Sequence, residues 1–216
     1  MVENNACARA YAAQLFRREL LNNVESFAYL FISTGIACPL VYNFVPDDGM
    51  LVGVGEAGHM VLDPAGPKCV CGNRGCLEAF ASDRTVIARC EDVMRRGEAP
   101  ILRRLSQGST PSMAQIVQAQ KMGETWISQI VNSAVSSIGV AVANIDNFAR
   151  PHKILIEGSL FVLEENRQKL LEVVHCNLYT ATRSDTVFEF IMPDEFSGAR
   201  GGAAIAIRGD LETYIE

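Results

Sequence analysis

Hydrophobic and polar positions alternate along this chain in two rhythms, and each predicts its own kind of element. From Ile127 to Ile145 no residue is charged, and Trp126, Ile130, Ala134, Ile138, Ala141 and Ile145 recur at spacings of three and four. That period predicts a long helix buried in a protein core. The run is long enough to span a bilayer, but Gln129, Asn132, Ser133, Ser136, Ser137 and Asn144 interrupt it, so no membrane association is expected. Ser26 to Thr34 and Leu40 to Val45 are β-type apolar runs. The second leads into the turn signal Pro46-Asp47-Asp48-Gly49, and together they predict a hairpin-like pair.

Ala6 to Leu21 reads as a helix that Asn4 or Asn5 could cap, and helical sequence also runs from Cys76 through Arg96. Ser112-Met113-Ala114-Gln115 has the capping-box spacing that opens another helix. A short strand at Lys153 to Ile156 ends at Gly158, and a charged helix (Leu163 to Tyr179), a strand (Val187 to Met192) and a final helix (Gly198 to Arg208) follow. Strands early, helices in the middle and a βαβ unit late predict a mixed α/β architecture.

Composition narrows the function classes. With 216 residues, 49% of them hydrophobic, the chain can bury a real core without disulfide staples. A formal net charge of -6 argues against an extended phosphate-binding surface, because nucleic-acid affinity comes from clustered Lys and Arg. Seven cysteines, three of them between Cys69 and Cys76, do not resemble the framework of a small secreted protein, and the opening MVENNACARAYAA has no basic stretch before an apolar one. A reducing cytoplasm is the expected compartment.

His59, Cys69, Cys71 and Cys76 offer one imidazole and three thiolates, a set that closes a tetrahedral zinc site. Soft sulfur selects zinc or iron-sulfur over magnesium or calcium. Gly66, Pro67, Gly72 and Gly75 supply the bends that could turn four side chains onto one point. The C-x-C-x4-C spacing differs from the commoner C-x2-C pairs. Free thiols in a loop are the alternative, as is a redox pair, although C-x-C lacks the C-x-x-C spacing of thioredoxin-like sites.

The run GEAGHMVLDPAGPKCVCGNRGCLEAFAS, Gly55 to Ser82, resembles the signature of the ROK (repressor, open reading frame, kinase) family: a G-E-x-G-H segment, a cysteine loop and C-L-E-x-x-x-S. The resemblance implies residues 1–216 as a single C-terminal lobe of the actin-like ATPase (ribonuclease H-like) sugar-kinase fold, with an inserted zinc loop over 59–76. It places structural zinc on His59, Cys69, Cys71 and Cys76 and sugar-hydroxyl contacts on Glu56, His59 and Glu78, with Asn4 and Asn5 adding further hydroxyl partners. Carboxylates accept paired hydroxyl bonds, and a metal-bound imidazole keeps a second nitrogen that donates. Without the resemblance, Glu78 also reads as a first-turn carboxylate favoured by a helix dipole.

The kinase positions depart from the family pattern. VENNACARA resembles V-E-N-D-A-N-A-A-A, in which the Asp is the general base, but here that position is Asn5 and Cys7 replaces the second Asn. An amide has no basic lone pair near neutral pH. The phosphate turn G-T-G-I-G-A-G reads Ser33-Thr34-Gly35-Ile36-Ala37-Cys38-Pro39, and Pro39 removes a backbone donor. The family's G-G after a strand appears as Glu157-Gly158, which would set a carboxylate near a triphosphate. The D-x-G-G-T phosphate segment has no counterpart in the chain. The expectation is a catalytically inactive, sugar-sensing and dimerising domain of a ROK transcriptional regulator similar to the xylose and N-acetylglucosamine repressors. It would bind a sugar or amino sugar rather than ATP and touch DNA only through an N-terminal domain outside this chain. A fragment of a sugar kinase, or a zinc-stabilised interaction module without ligand, are the alternatives.

Overall fold

The computed structural model describes residues 5–42, 55–179, 185–192, 194 and 196–213, with side chains through 207. The turn expected at Pro46 to Gly49 and the candidate ligand Asn4 lie outside the described residues. Three strands run parallel: β1 (Ser26–Ile32), β4 (Lys153–Gly158) and β5 (Val187–Ile191). The short strands β2 (Ile36–Ala37) and β3 (Leu40–Tyr42) return antiparallel onto β1, which gives the expected hairpin and a mixed five-stranded sheet.

Side-chain alternation separates the two faces of the sheet. Phe27, Tyr29 and Leu155 face α1 (Asn5–Phe16), which is backed by α8 (Ser197–Thr213). Ala28, Leu30, Ile32, Ile154 and Ile156 face the main core, built around the long helix α6 (Thr125–Ala149). Along α6, Ile127, Ile130, Ala134, Ile138, Ala141 and Ile145 are buried as the period predicts, and more than half of its most apolar stretch lies inside the fold. Trp126 departs from that stripe: it sits in the first turn, 43% exposed. Gly139 lets α7 (Glu164–Asn177) approach α6 closely, since a Cβ there would lie 2.8 Å from Val173.

Several boundaries differ from the sequence reading. The first helix stops at Phe16 rather than Leu21. Arg17 leaves helical geometry, and a 3-10 turn over Arg18–Leu21 swings Leu21 back into the core against Phe27. The stretch from Cys76 to Arg96 is two helices, α2 (Leu77–Ala81) and α3 (Asp83–Arg95). Ser82 is extended between them, and its hydroxyl accepts from Thr85 N–H to open α3. The helix α4 (Pro100–Leu105) has no counterpart in the sequence reading, whereas α5 (Met113–Lys121) opens with the expected reciprocal capping box.

Candidate functional site

The cysteine run folds into a tight knuckle. Lys68 bridges Arg74, Cys69 N–H donates to Asn73 O, and Gly75 N–H donates to Pro67 O. Gly75 has φ +70, and a Cβ there would lie 1.5 Å from Asp63 O, so only glycine closes the loop. His59, at the end of the 3-10 turn Ala57–His59, reaches the knuckle from outside. Its Nδ1 lies 3.8 Å from Cys69 Sγ, Cys71 Sγ lies 3.7 Å from Cys76 Sγ, and the four ligand atoms all fall within 4.8 Å of one another. A tetrahedron with metal–sulfur bonds of about 2.3 Å has edges of about 3.8 Å, so the four groups fit one ion with only small closure. The Asn73 backbone N–H draws the Cys71 thiol below its ordinary range, while burial raises Cys76.

Glu78 stands in the first turn of α2, buried next to this knuckle. Its Oε2 accepts from Ile36 N–H at 3.3 Å and packs against Gly35 and Gly58, where a Cβ would come within 3.2 and 3.1 Å of it. Its Oε1 pairs with Arg84 at 2.9 Å. The structure therefore brings Glu78 against the segment that carries His59. Glu56 and His59 line a groove of about 400 Å³ with Cys38, Met60, Asn144 and Phe148. Glu78 lines a separate groove with Arg84.

Three backbone donors of the segment aligned with the phosphate turn are taken within the chain. Ser33 N–H bonds Gly35 O, Ile36 N–H bonds Glu78, and Cys38 N–H bonds Gly55 O at 2.6 Å. Asp83 N–H bonds Ser33 O at 2.8 Å, which holds the start of α3 against the turn. Asp83 is half-buried, with its Oδ1 buried and unpartnered among the described residues, and desolvation pushes its carboxyl up to about 6.

Asn5 is exposed and itself helical in α1, so it is not a cap ahead of the helix, and its side-chain oxygen accepts from Arg9 Nε at 3.2 Å. Arg9 also pairs with Glu157 Oε1 at 2.7 Å, and Tyr29 OH donates to Glu157 Oε2 at 2.6 Å. Burial, reinforced by the Glu157 charge, raises the Tyr29 phenol. Glu157 is thus turned towards α1, where Arg9 and Tyr29 hold both of its carboxylate oxygens. Arg9, Tyr29, Asp83 and Arg84 were not singled out from sequence. Arg9 and Glu157 are 148 positions apart, and no local pattern links them.

A sequence model described as the ROK family matches residues 1–209. Kanosamine kinase of Amycolatopsis mediterranei (strain S699) is 31% identical over 134 residues, which is 62% of this chain and 40% of that protein. The xylose repressor of Bacillus subtilis (strain 168) is 26% identical over 182 residues, 82% of this chain and 43% of the repressor. The chain thus spans less than half the length of either. A ROK hexokinase from Thermus thermophilus shares the fold, with a TM-score of 0.76 at 23% identity over 99% of this chain and 66% of the hexokinase.

Proposed function

Given that the chain belongs to the ROK family, we propose that it is the sugar-sensing lobe of a transcriptional regulator whose phosphoryl-transfer apparatus has been lost. The observation that carries this reading is Asn5. At the position of the family's general base stands a carboxamide, already engaged by Arg9, and an amide cannot take the proton of an attacking hydroxyl near neutral pH. The turn supports the same reading, because a phosphate cradle needs free backbone donors. Those of Ser33, Ile36 and Cys38 are already bonded within the chain, and Pro39 has none.

The sugar-facing residues are retained. Glu56, His59 and Glu78, with Asn4 and Asn5, are the proposed partners for the hydroxyls of a hexose or amino sugar. Zinc is the proposed ion for His59, Cys69, Cys71 and Cys76, since three thiolates and an imidazole close a structural site with no open position. His59 Nδ1 faces Cys69 Sγ, so a zinc held there would leave Nε2 as a hydrogen-bond donor and would fix its orientation. On this reading residues 1–216 form one actin-like lobe, cytoplasmic and paired with a second copy, and DNA is contacted by a domain outside this chain.

A sugar kinase is the second reading, favoured by the 31% identity to kanosamine kinase. Loss of a general base typically costs about two to four orders of magnitude in rate, so the two readings separate in one experiment. The full-length protein is titrated with hexoses and amino sugars in the presence of MgATP: a regulator binds without turnover, and a kinase transfers phosphate.

A further inference from the structure

A second groove lies outside the proposed sugar and metal chemistry except at its inner edge. It has a volume of about 860 Å³ and runs between the knuckle, one side of α3 and the first turns of α6. Its apolar lining includes Val70, Phe80 and Trp126, of which Val70 is 72% and Trp126 43% exposed. Its rim is basic: Lys68, Arg84, Arg89, Arg95 and Arg96 stand against Glu78 and Asp92. The concentration is local, since residues 68–104 hold eight of the chain's 19 Lys and Arg against five Asp and Glu, in a protein of net charge -6. Lys68 and Arg89 form no ion pair among the described residues, and Arg95 and Arg96 share Asp92.

From this combination we infer that the groove docks an acidic segment of a partner protein, with an aliphatic or aromatic side chain seated between Val70, Phe80 and Trp126. Large side chains left exposed beside cations mark recognition surfaces, in which the apolar centre supplies affinity and the charged rim supplies steering and register. A carboxylate-bearing strand complements this rim without needing a long run of cations. A nucleic-acid backbone would meet Glu78 and Asp92 inside the groove and find few unpaired cations, whereas phosphate affinity grows with the number of phosphates neutralised. The inference does not rest on the sugar reading, because docking is measured with no sugar present.

Trp126 is the only tryptophan of the chain, so its emission reports the groove directly. The probe is a twelve-residue peptide of Glu and Asp with one central Phe-Leu pair, added to the full chain at about 50 mM salt. The expected result is a saturable change in emission at micromolar peptide that weakens at least about tenfold at roughly 0.5 M salt, as screening requires. The double variant Arg89→Glu/Arg95→Glu should weaken binding at least tenfold with an unchanged melting curve. Arg103→Glu/Arg104→Glu, at residues that do not line the groove, should bind as the parent does.

No saturable change, an equal response to a lysine-for-acid peptide, or an unaffected Arg89→Glu/Arg95→Glu variant would overturn the inference. So would a DNA duplex that shifts the emission at lower concentration than the peptide. An emission change that tracks protein concentration alone, matched by dimer in sedimentation, would assign the groove to a second copy instead and overturn it as well.

Discussion

Arg9 of the first helix and Glu157 at the end of β4 form an ion pair of 2.7 Å, with Glu157 buried and Arg9 half-buried. Tyr29 closes the other carboxylate oxygen, and the Arg9 guanidinium lies 4.1 Å above the Phe31 ring. Removing one member of such a pair leaves a buried charge uncompensated, at a cost of about 3 to 5 kcal/mol. Arg9→Ala should therefore lower unfolding stability by about 3 kcal/mol. Arg9→Met/Glu157→Gln, which removes both charges and keeps an acceptor for Tyr29, should lose less than Arg9→Ala alone. Urea unfolding of the three proteins decides it: a loss near zero for Arg9→Ala would mean that the pair holds nothing together.

Asp83 gives a pH dependence of opposite sign to that of a salt-bridged carboxylate. Burial lifts its carboxyl from an ordinary 3.8 to about 6. Between those values the folded protein holds a proton that the unfolded chain has released, so stability falls as pH rises through the window, and the full penalty stands above it. A shift of about two units corresponds to at most about 3 kcal/mol. Asp83→Asn should accordingly be about 2 kcal/mol more stable than the parent at pH 7.5, with the gap closing near pH 4. Urea midpoints that differ equally at both pH values would contradict this origin.

The knuckle predicts its own thiol chemistry. Burial pushes Cys38 and Cys90 up to about 12, and Cys7 is also buried, while Cys176 is exposed. In metal-loaded protein at pH 8, a thiol reagent should find Cys176 alone reacting quickly. After chelation Cys69, Cys71 and Cys76 should join it, with a fall in melting temperature of several degrees or more, because site formation is coupled to folding. Metal analysis should return one ion per chain. Rapid reaction of the knuckle cysteines before chelation, with no metal detected, would remove the site.

Glu124 predicts a cost for a helix that the sequence reading missed. Its buried carboxylate accepts from Ile101 N–H and Leu102 N–H and so satisfies the first turn of α4 from more than twenty residues away. Glu124→Ala leaves two donors unmet and should cost about 1 to 3 kcal/mol. Glu124→Gln should retain part of that. Equal stability of the alanine variant and the parent, read by thermal unfolding, would show that water replaces the carboxylate.

What the sequence displayed and what it hid follow from the range of the forces involved. The α6 stripe, the β1 and β3 runs and the Ser112 capping box are local patterns, and each appears where its period or spacing puts it. The four candidate metal ligands were legible because 18 residues of loop carry all of them, and they converge. The break at Ser82 carried a weaker signal, a hydroxyl three residues before Thr85, that the helical composition around it masked. Helix α4 is capped from Glu124, and Glu157 is neutralised from Arg9, so neither could be read from neighbours in sequence. Trp126 fits the apolar period but falls in the first turn, where α6 emerges beside the knuckle groove.

The central claim, that sugar recognition persists where phosphoryl transfer has been lost, is tested most directly by calorimetry of the full-length protein with MgATP present. Each hexose or amino sugar is injected in turn, and the same trace reports binding as a saturating isotherm and turnover as sustained heat. The account predicts saturation with at least one sugar and a return to baseline after every injection. Steady heat flow that scales with ATP and with protein would contradict it and make the chain part of a working kinase.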